Sequence, residues 1–282
     1  MEILTLLKAN LRLKKGAFIS IMLLTILITA SAGAVLSVMD NSARALNSAL
    51  TAADSGDVVV FMFSDMLTDT LCTTLEENTS VGRVRCLDAA CADNAFVGER
   101  SYNNGIFLTE MRDGILLYNS AASGFEENIP PLGQGEIYLP FGMKAKMQCE
   151  TGDMMRFSFP DGFRDLKIAG FVQEPTQGSA NMGWKQVFVS AVDLSDILDS
   201  CARKEIRAAM KIVMIYKAAD CPLSAAKFSR QLNLETKIIT NALGALTRDD
   251  TVRYTMSLWR IVSYVLLIFV GLLFVIVLIV MG

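Results

Sequence analysis

Residues 16–39 read GAFISIMLLTILITASAGAVLSVM, and residues 261–282 read IVSYVLLIFVGLLFVIVLIVMG. Neither stretch contains a charged residue. As α-helices they would be about 36 and about 33 Å long, and the hydrocarbon core of a bilayer is about 30 Å thick. The second stretch is rich in Val, Ile and Phe, but it is far too long for one strand. The two stretches therefore predict transmembrane helices 1 and 2.

Charges around these stretches predict their orientation. Residues 1–15 contain four basic residues and one acidic residue, whereas residues 40–259 contain 28 acidic and 21 basic residues. Basic flanks stay on the cytoplasmic side of a membrane. We therefore expect a multi-pass protein of the cell (plasma) membrane, with a cytoplasmic N-terminus and with residues 40–260 extracytoplasmic.

The N-terminal stretch has a second interpretation. A basic segment, an apolar run and Ala30-Ser31-Ala32 together are typical of a signal peptide with a cleavage site. The apolar run, however, continues past that site as far as Met39, which favours an uncleaved span.

The first fifteen residues also carry an amphipathic pattern. Apolar residues recur at helical spacing, and basic residues lie elsewhere on the helix. The residues concerned are Leu4, Leu7 and Leu11, with Lys8 and Arg12. We expect residues 1–15 to form a cytoplasmic amphipathic basic helix that couples to an ATPase or lies on the inner leaflet. The alternative is a plain basic tail that only sets topology.

The middle of the chain has the composition of a folded domain. Helix-forming residues 40–56 predict a stalk, residues 57–240 a core domain of mixed helices and strands, and residues 241–260 a stalk back into the membrane. The strands are expected at 57–63, 81–87, 95–97, 105–109, 115–118, 136–139, 155–159, 166–172, 186–190 and 211–216. A helix is expected after Ser64, and others at 141–148, from 194, at 224–232 and from Thr240 onward. Because strands and helices do not alternate strictly, the predicted fold class is α+β.

Several kinds of chemistry are disfavoured by the composition. The chain has no histidine, so the commonest general base and metal ligand is missing. No phosphate-binding G-x-x-x-x-G-K-[ST] motif occurs. Six cysteines form no C-x-x-C pair; Cys86 and Cys91 could bridge if their strands allow it, and free thiols are the alternative. We expect no catalytic, cofactor or metal residue and no nucleic-acid binding.

Three further features admit a functional and a structural interpretation. Asp65 with Asp69, and Glu126 with Glu127, are carboxylate pairs, for which a solvated surface is the favoured explanation. Residues 178–184 (GSANMGW) predict a flexible loop that either packs its Trp184 or contacts a partner. Gly152-Asp153 predicts a β-turn.

The order of these segments resembles the N-terminal part of an FtsX-like (MacB-type) ABC-transporter permease. The resemblance is carried by the basic helix before the first span, residues 135–140 (GEIYLP), the Gly152-Asp153 turn, residues 168–172 (IAGFV) and residues 187–190 (VFVS). It covers essentially the whole chain.

The resemblance implies a MacB-like extracytoplasmic core domain and no enzymatic activity in this chain. It implies a partner ABC ATPase that binds the ATP, and mechanotransmission across the membrane that exports or releases a substrate or transmits force. Further implied partners are the lipid bilayer, a second permease unit or downstream spans, and an extracytoplasmic substrate or accessory protein. Such permeases have more than two spans, so the chain is expected to be a fragment; a tail-anchored end is the alternative. A membrane-anchored extracellular binding or adhesion module without transport is the alternative function.

Overall fold

The computed structural model describes residues 15–204 and 207–281. The chain divides into two compact parts. The sheet domain comprises residues 46–255, and the terminal-helix part comprises the described residues among 1–45 and 256–282.

The two apolar stretches are helical. Helix α1 runs over Lys15–Ala52, and the last helix, α7, runs over Ser257–Met281. Among the described residues, one helix, Met22–Ala52, is long and apolar enough to cross a membrane; a second qualifies only if α7 is joined to the short helix before it. Large apolar side chains such as Leu27 and Leu36 are exposed along α1. This is the surface expected of a helix that associates with a membrane.

Within the terminal-helix part, α1 and α7 face each other across an apolar groove of about 220 Å³. Val35 and Val38 line it from α1, and Trp259 and Leu266 line it from α7. Helix α1 contains the helix predicted at residues 16–39, and α7 contains the one predicted at the end of the chain. The helical assignment of residues 40–52 is also confirmed, because α1 continues to Ala52.

The sheet domain is built on one large mixed sheet. Its strands, in chain order, are β1 (Val58–Phe63), β2 (Val81–Ala92), β3 (Asn94–Val97), β4 (Arg100–Tyr102), β5 (Ile106–Glu110), β6 (Leu116–Asn119), β7 (Gly124–Glu126), β8 (Glu136–Pro140), β9 (Met154–Phe159), β10 (Gly162–Gln173), β11 (Lys185–Val189), β12 (Ala209–Lys217) and β13 (Gly244–Thr247). The described helices are α2 (Asp69–Glu76), α3 (Phe141–Met147), α4 (Ala191–Arg203), α5 (Ala225–Thr236) and α6 (Arg248–Thr255).

The strand order is β13-β1-β12-β2-β5-β11-β8-β10-β9-β3-β4, with β6 pairing to β10 and β7 to β6. The pairs β5–β11 and β8–β10 are parallel, and the other ladders are antiparallel. Neighbours in the sheet are often distant in the sequence, as for β1 and β12. The mixed sheet agrees with the predicted α+β class.

Side-chain alternation gives the sheet two different faces. In β1, Val58 and Val60 join a core cluster with Phe228 of α5, while Val59 and Phe61 point to the opposite side. The same face as Val58 carries the largest cluster, which packs α3 and α4 on the other half of the sheet. Helices α2 to α5 therefore cover one face, and the opposite face packs loop residues such as Trp184 and Met111 together with Leu117 of β6.

Two local expectations are corrected. The helix expected after Ser64 begins only at Asp69: Ser64–Met66 form a 3-10 turn, and Thr68 caps α2 by accepting a hydrogen bond from the N–H of Leu71. The helix expected from Thr240 onward begins only at Arg248, because Gly244–Thr247 form β13 along the free edge of β1.

The two cysteines that were close in sequence do not bridge. Cys86 and Cys91 lie on β2, five positions apart, so their side chains point to opposite faces of the sheet. The six cysteines are free thiols; Cys149 and Cys201 are buried, whereas Cys86 is exposed.

Candidate functional site

The residues predicted to couple the chain to an ATPase lie outside the described part of the structure. They are Leu4, Leu7, Lys8, Leu11 and Arg12. Their role stays a prediction from the sequence.

A buried ion pair lies on the side of the sheet opposite helices α2 to α5. Arg112, between β5 and β6, approaches Glu174, directly after β10, with 2.7 Å between Nη2 and Oε1. The two side chains are 1% and 0% exposed. Glu174 Oε1 also accepts a hydrogen bond from the N–H of Thr176 at 3.0 Å, and Oε2 accepts one from the N–H of Gln177. The carboxylate therefore holds both the guanidinium and the start of the following loop, as a buried charge requires.

A second buried cation holds the other end of that loop. Lys185 begins β11 and is fully buried. Its ammonium group donates to the carbonyl oxygens of Gln177, Ser179 and Met182 at 3.1, 2.5 and 2.6 Å. Removal from water lowers the pKa of Lys185 to about 8.

The segment between these charges, residues 174–184, is here called the 174–184 loop. Its first five residues are buried, which is unusual for a connection between strands. At Gly178 a Cβ atom would lie 2.2 Å from the carbonyl oxygen of Glu174, so only glycine fits. The predicted loop is present, but its backbone is tied down by buried hydrogen bonds along its length.

Trp184, at the end of this loop, packs on aromatic side chains of the sheet. Its ring lies edge-on to Phe61 and Phe107, with centroids 5.5 and 5.6 Å away. Gly244 of β13 lies under the ring, where a Cβ atom would come within 2.2 Å of it. The packing interpretation of Trp184 is therefore confirmed.

Beside Trp184 the loop borders a cavity of about 260 Å³, here called the Gln177 cavity. The seven lining residues are Gln177, Asn181, Met182, Gly183, Trp184, Leu246 and Tyr254. None of the seven carries a charge. Gln177 is fully buried, and neither atom of its side-chain amide has a hydrogen-bond partner within the described residues. The cavity thus combines apolar walls with one amide whose hydrogen-bonding capacity is unused.

The carboxylates singled out in the sequence do not converge on a site. Asp65 is exposed and pairs with Arg207 at 3.1 Å, and Glu126 accepts a hydrogen bond from Asn119. The described residues contain no group of three or more side chains suited to hold a metal ion. The Gly152-Asp153 turn is confirmed: Gly152 has a φ of +99°.

The half-buried thiol of Cys91 and the buried thiol of Cys149 are also unsuited to nucleophilic attack near neutral pH. Burial raises the pKa of Cys91 and of Cys149 to about 11. Because the thiolate is the reactive form, such groups are less reactive than an exposed cysteine.

Sequence reasoning missed Arg112, Glu174, Lys185 and Gln177. Two signals were available: Glu174 directly follows the apolar end of one strand, and Lys185 directly precedes the run QVFV of another. A charge next to an apolar strand is nevertheless usually solvated, so the pattern alone does not predict a buried pair.

A scan against protein-family models finds no match to this chain, and no curated protein matches its sequence.

Proposed function

We propose that this chain is the N-terminal part of a permease subunit of an ATP-driven ABC transporter of the FtsX/MacB type. In this proposal the sheet domain lies outside the cell membrane and responds to movements of the helices that carry it. The chain exports or releases a substrate, or transmits force.

One observation carries the proposal: the sheet domain is entered and left by the chain at the same place. Arg248, at the start of α6, donates to the carbonyl oxygen of Asn47 at 3.2 Å and to Thr51 Oγ1 at 2.5 Å, both in α1. The N–H of Arg248 also donates to the carbonyl oxygen of Asp57 at 3.0 Å. Leu50, on the same end of α1, is buried. A displacement of the end of α1 is therefore passed to the start of α6 and to β1, and a displacement of α6 is passed to α1 in the same way.

The proposed topology combines this joint with the charge pattern. The N-terminus is cytoplasmic, α1 and α7 both cross the plasma membrane, and residues 40–260 are extracytoplasmic. The basic helix over residues 1–15 binds an ABC ATPase, which supplies the ATP site. A second permease unit or downstream spans complete the transporter.

The topology is tested by labelling Cys86, the exposed cysteine of β2. In intact cells, a membrane-impermeant maleimide is expected to modify the wild-type chain and to leave the Cys86→Ser variant much less modified. A chain in which Cys86 is replaced by Ser and Asn10 by Cys is expected to be modified more than Cys86→Ser only after the membrane is opened. Labelling of the wild type only in opened cells would place the sheet domain in the cytoplasm and overturn the topology.

The partner is tested by purifying the tagged chain from its native membranes in mild detergent and measuring ATP hydrolysis. We expect ATPase activity to accompany the wild-type chain and the Asn10→Ser control. It should be lost from a variant with Leu4, Leu7 and Leu11 replaced by Ser, provided that this variant still inserts into the membrane. If the wild-type chain inserts and carries no ATPase activity, the permease proposal fails, and the membrane-anchored binding module becomes the better account.

A further inference from the structure

We propose that the Gln177 cavity is a binding site for an uncharged peptide group that carries one bulky apolar side chain. The proposal concerns the sheet domain alone and goes beyond the transporter function, because it does not depend on an ATPase partner.

The unpartnered amide is the first argument. Gln177 is 0% exposed, and both the oxygen and the nitrogen of its amide lack a partner within the described residues. Buried polar groups in proteins are almost always hydrogen-bonded, because an unpaired one carries the full cost of its desolvation. A ligand that forms hydrogen bonds with the Gln177 amide would supply the partners that the folded chain does not.

The chemistry of that amide selects the ligand. A glutamine side chain offers an acceptor oxygen and a donor NH₂ side by side. A peptide group presents the complementary pair, an N–H and a C=O. Because the amide is closed to solvent in the unliganded protein, pairing requires the Gln177 side chain to rotate toward the cavity.

The residues that line the cavity indicate that the remainder of the ligand is apolar and uncharged. Met182, Trp184, Leu246 and the ring of Tyr254 present apolar surface to the cavity. A charged group placed there would lose its hydration without meeting an opposite charge, since no lining residue is ionic. The volume of about 260 Å³ is smaller than the cavities that hold drug-sized ligands, and it suits one large side chain with its adjoining peptide group.

The frame of the site is already ordered before binding. The main chain of the 174–184 loop is fixed by Glu174 at one end and by Lys185 at the other. The Tyr102 hydroxyl also donates to the carbonyl oxygen of Gly183. Little backbone entropy is therefore lost when a ligand enters, which favours binding even of a small ligand.

The experiment uses the full chain in detergent micelles with Trp259 replaced by Phe, so that Trp184 is the remaining tryptophan. The probe is N-acetyl-leucinamide, which has two amide groups, one isobutyl side chain and no charge. L-leucine, which has the same side chain but two charges, is the matched comparison. We expect a saturable change in Trp184 emission with N-acetyl-leucinamide, and binding of L-leucine that is at least about tenfold weaker.

The variant Gln177→Leu tests the amide directly. It should bind N-acetyl-leucinamide at least about tenfold more weakly, and its unfolding temperature should rise, because an unpaired buried amide is replaced by an apolar side chain. The control Gln231→Leu changes an exposed glutamine of α5 and should leave both measurements unchanged.

Two results would overturn the proposal. One is the absence of saturable binding to the folded wild-type chain; the other is equal affinity of the wild type and of Gln177→Leu. If Gln177→Leu does not fold, Gln177→Met replaces it, and the wild-type preference for N-acetyl-leucinamide over L-leucine decides without any variant: equal binding of the two probes refutes the site.

Discussion

Two arginine–carboxylate pairs in the sheet domain show how strongly the surroundings decide the contribution of an ion pair to stability. Arg156 and Asp165 meet across β9 and β10 through two hydrogen bonds of 2.7 and 2.8 Å, with side chains 55% and 46% exposed. Arg112 and Glu174 meet at a similar distance but are almost fully buried. The exposed pair has the more regular two-bond geometry, yet water already solvates its charges.

The buried pair has a different role because water does not solvate its charges when the pair is broken. Glu174 is tied to the guanidinium of Arg112 and to two backbone N–H groups of the 174–184 loop. Removing one partner therefore leaves an uncompensated charge inside the domain. The comparison indicates that geometry alone is a poor guide to the energetic weight of these pairs.

The largest expected effect comes from Glu174→Ala. This variant leaves Arg112 buried without a counter-charge, and it should lower the free energy of unfolding by about 3–5 kcal/mol. Chemical denaturation of the full chain in detergent measures it. A loss below that of an exposed-pair variant would show that water reaches Arg112 and that the two pairs are equivalent.

Lys185→Met extends the comparison to the other buried cation. The variant removes the donor from three carbonyl oxygens of the 174–184 loop, and it should cost about 1–3 kcal/mol. Lys167→Met, on the exposed side of β10, is the matched control and should change stability little. Equal stability of the two variants would mean that the loop keeps its shape without Lys185.

The pH dependence of the free energy of unfolding gives a second test of the burial of Lys185. The pKa of Lys185 is about 8 in the folded chain and about 10.4 in an unfolded one, so the unfolded state binds more protons between these values. Stability contributed by Lys185 therefore rises with pH across this window. From about pH 7 to about pH 9.5, the wild type should gain about 2 kcal/mol relative to Lys185→Met. A constant difference between wild type and variant over this range would contradict the shifted pKa.

The smallest effect is expected for Asp165→Ala at the exposed pair. Its loss should be below about 1 kcal/mol and should shrink further in about 1 M salt, where charges are screened over a few ångströms. The same denaturation measurement applies. A salt-independent loss comparable to that of Glu174→Ala would remove the contrast between the two pairs.

Much of the sheet could be predicted from the sequence, because its central strands are strongly apolar. The run VVVFMF identified β1, and the run around IVMIY identified β12, since β-branched and aromatic residues in short runs favour buried strands. Short polar strands such as β4 and β7 were missed, because three residues give no period to detect. β13 was missed because GALT is a strand only through its pairing with β1.

The candidate site could be predicted only in part. The loop and its Trp184 are visible as a glycine-rich segment with one aromatic residue. The ion pair is not visible, because Arg112 and Glu174 are 62 positions apart and meet only when the strand order brings their loops together. The lack of hydrogen-bond partners for the Gln177 amide results from three-dimensional packing, and no local sequence pattern predicts it.

The hydrogen bonds between Arg248 and α1 bring the first and last residues of the sheet domain close together. About two hundred residues separate Asn47 from Arg248 in the chain, yet a hydrogen bond joins them. Domains with neighbouring ends can be inserted into, or removed from, a host chain with little disturbance. The architecture is therefore modular: a short linker replacing residues 48–247 should leave α1 and the C-terminal helices joined as a helical hairpin, and a different domain could occupy the same position.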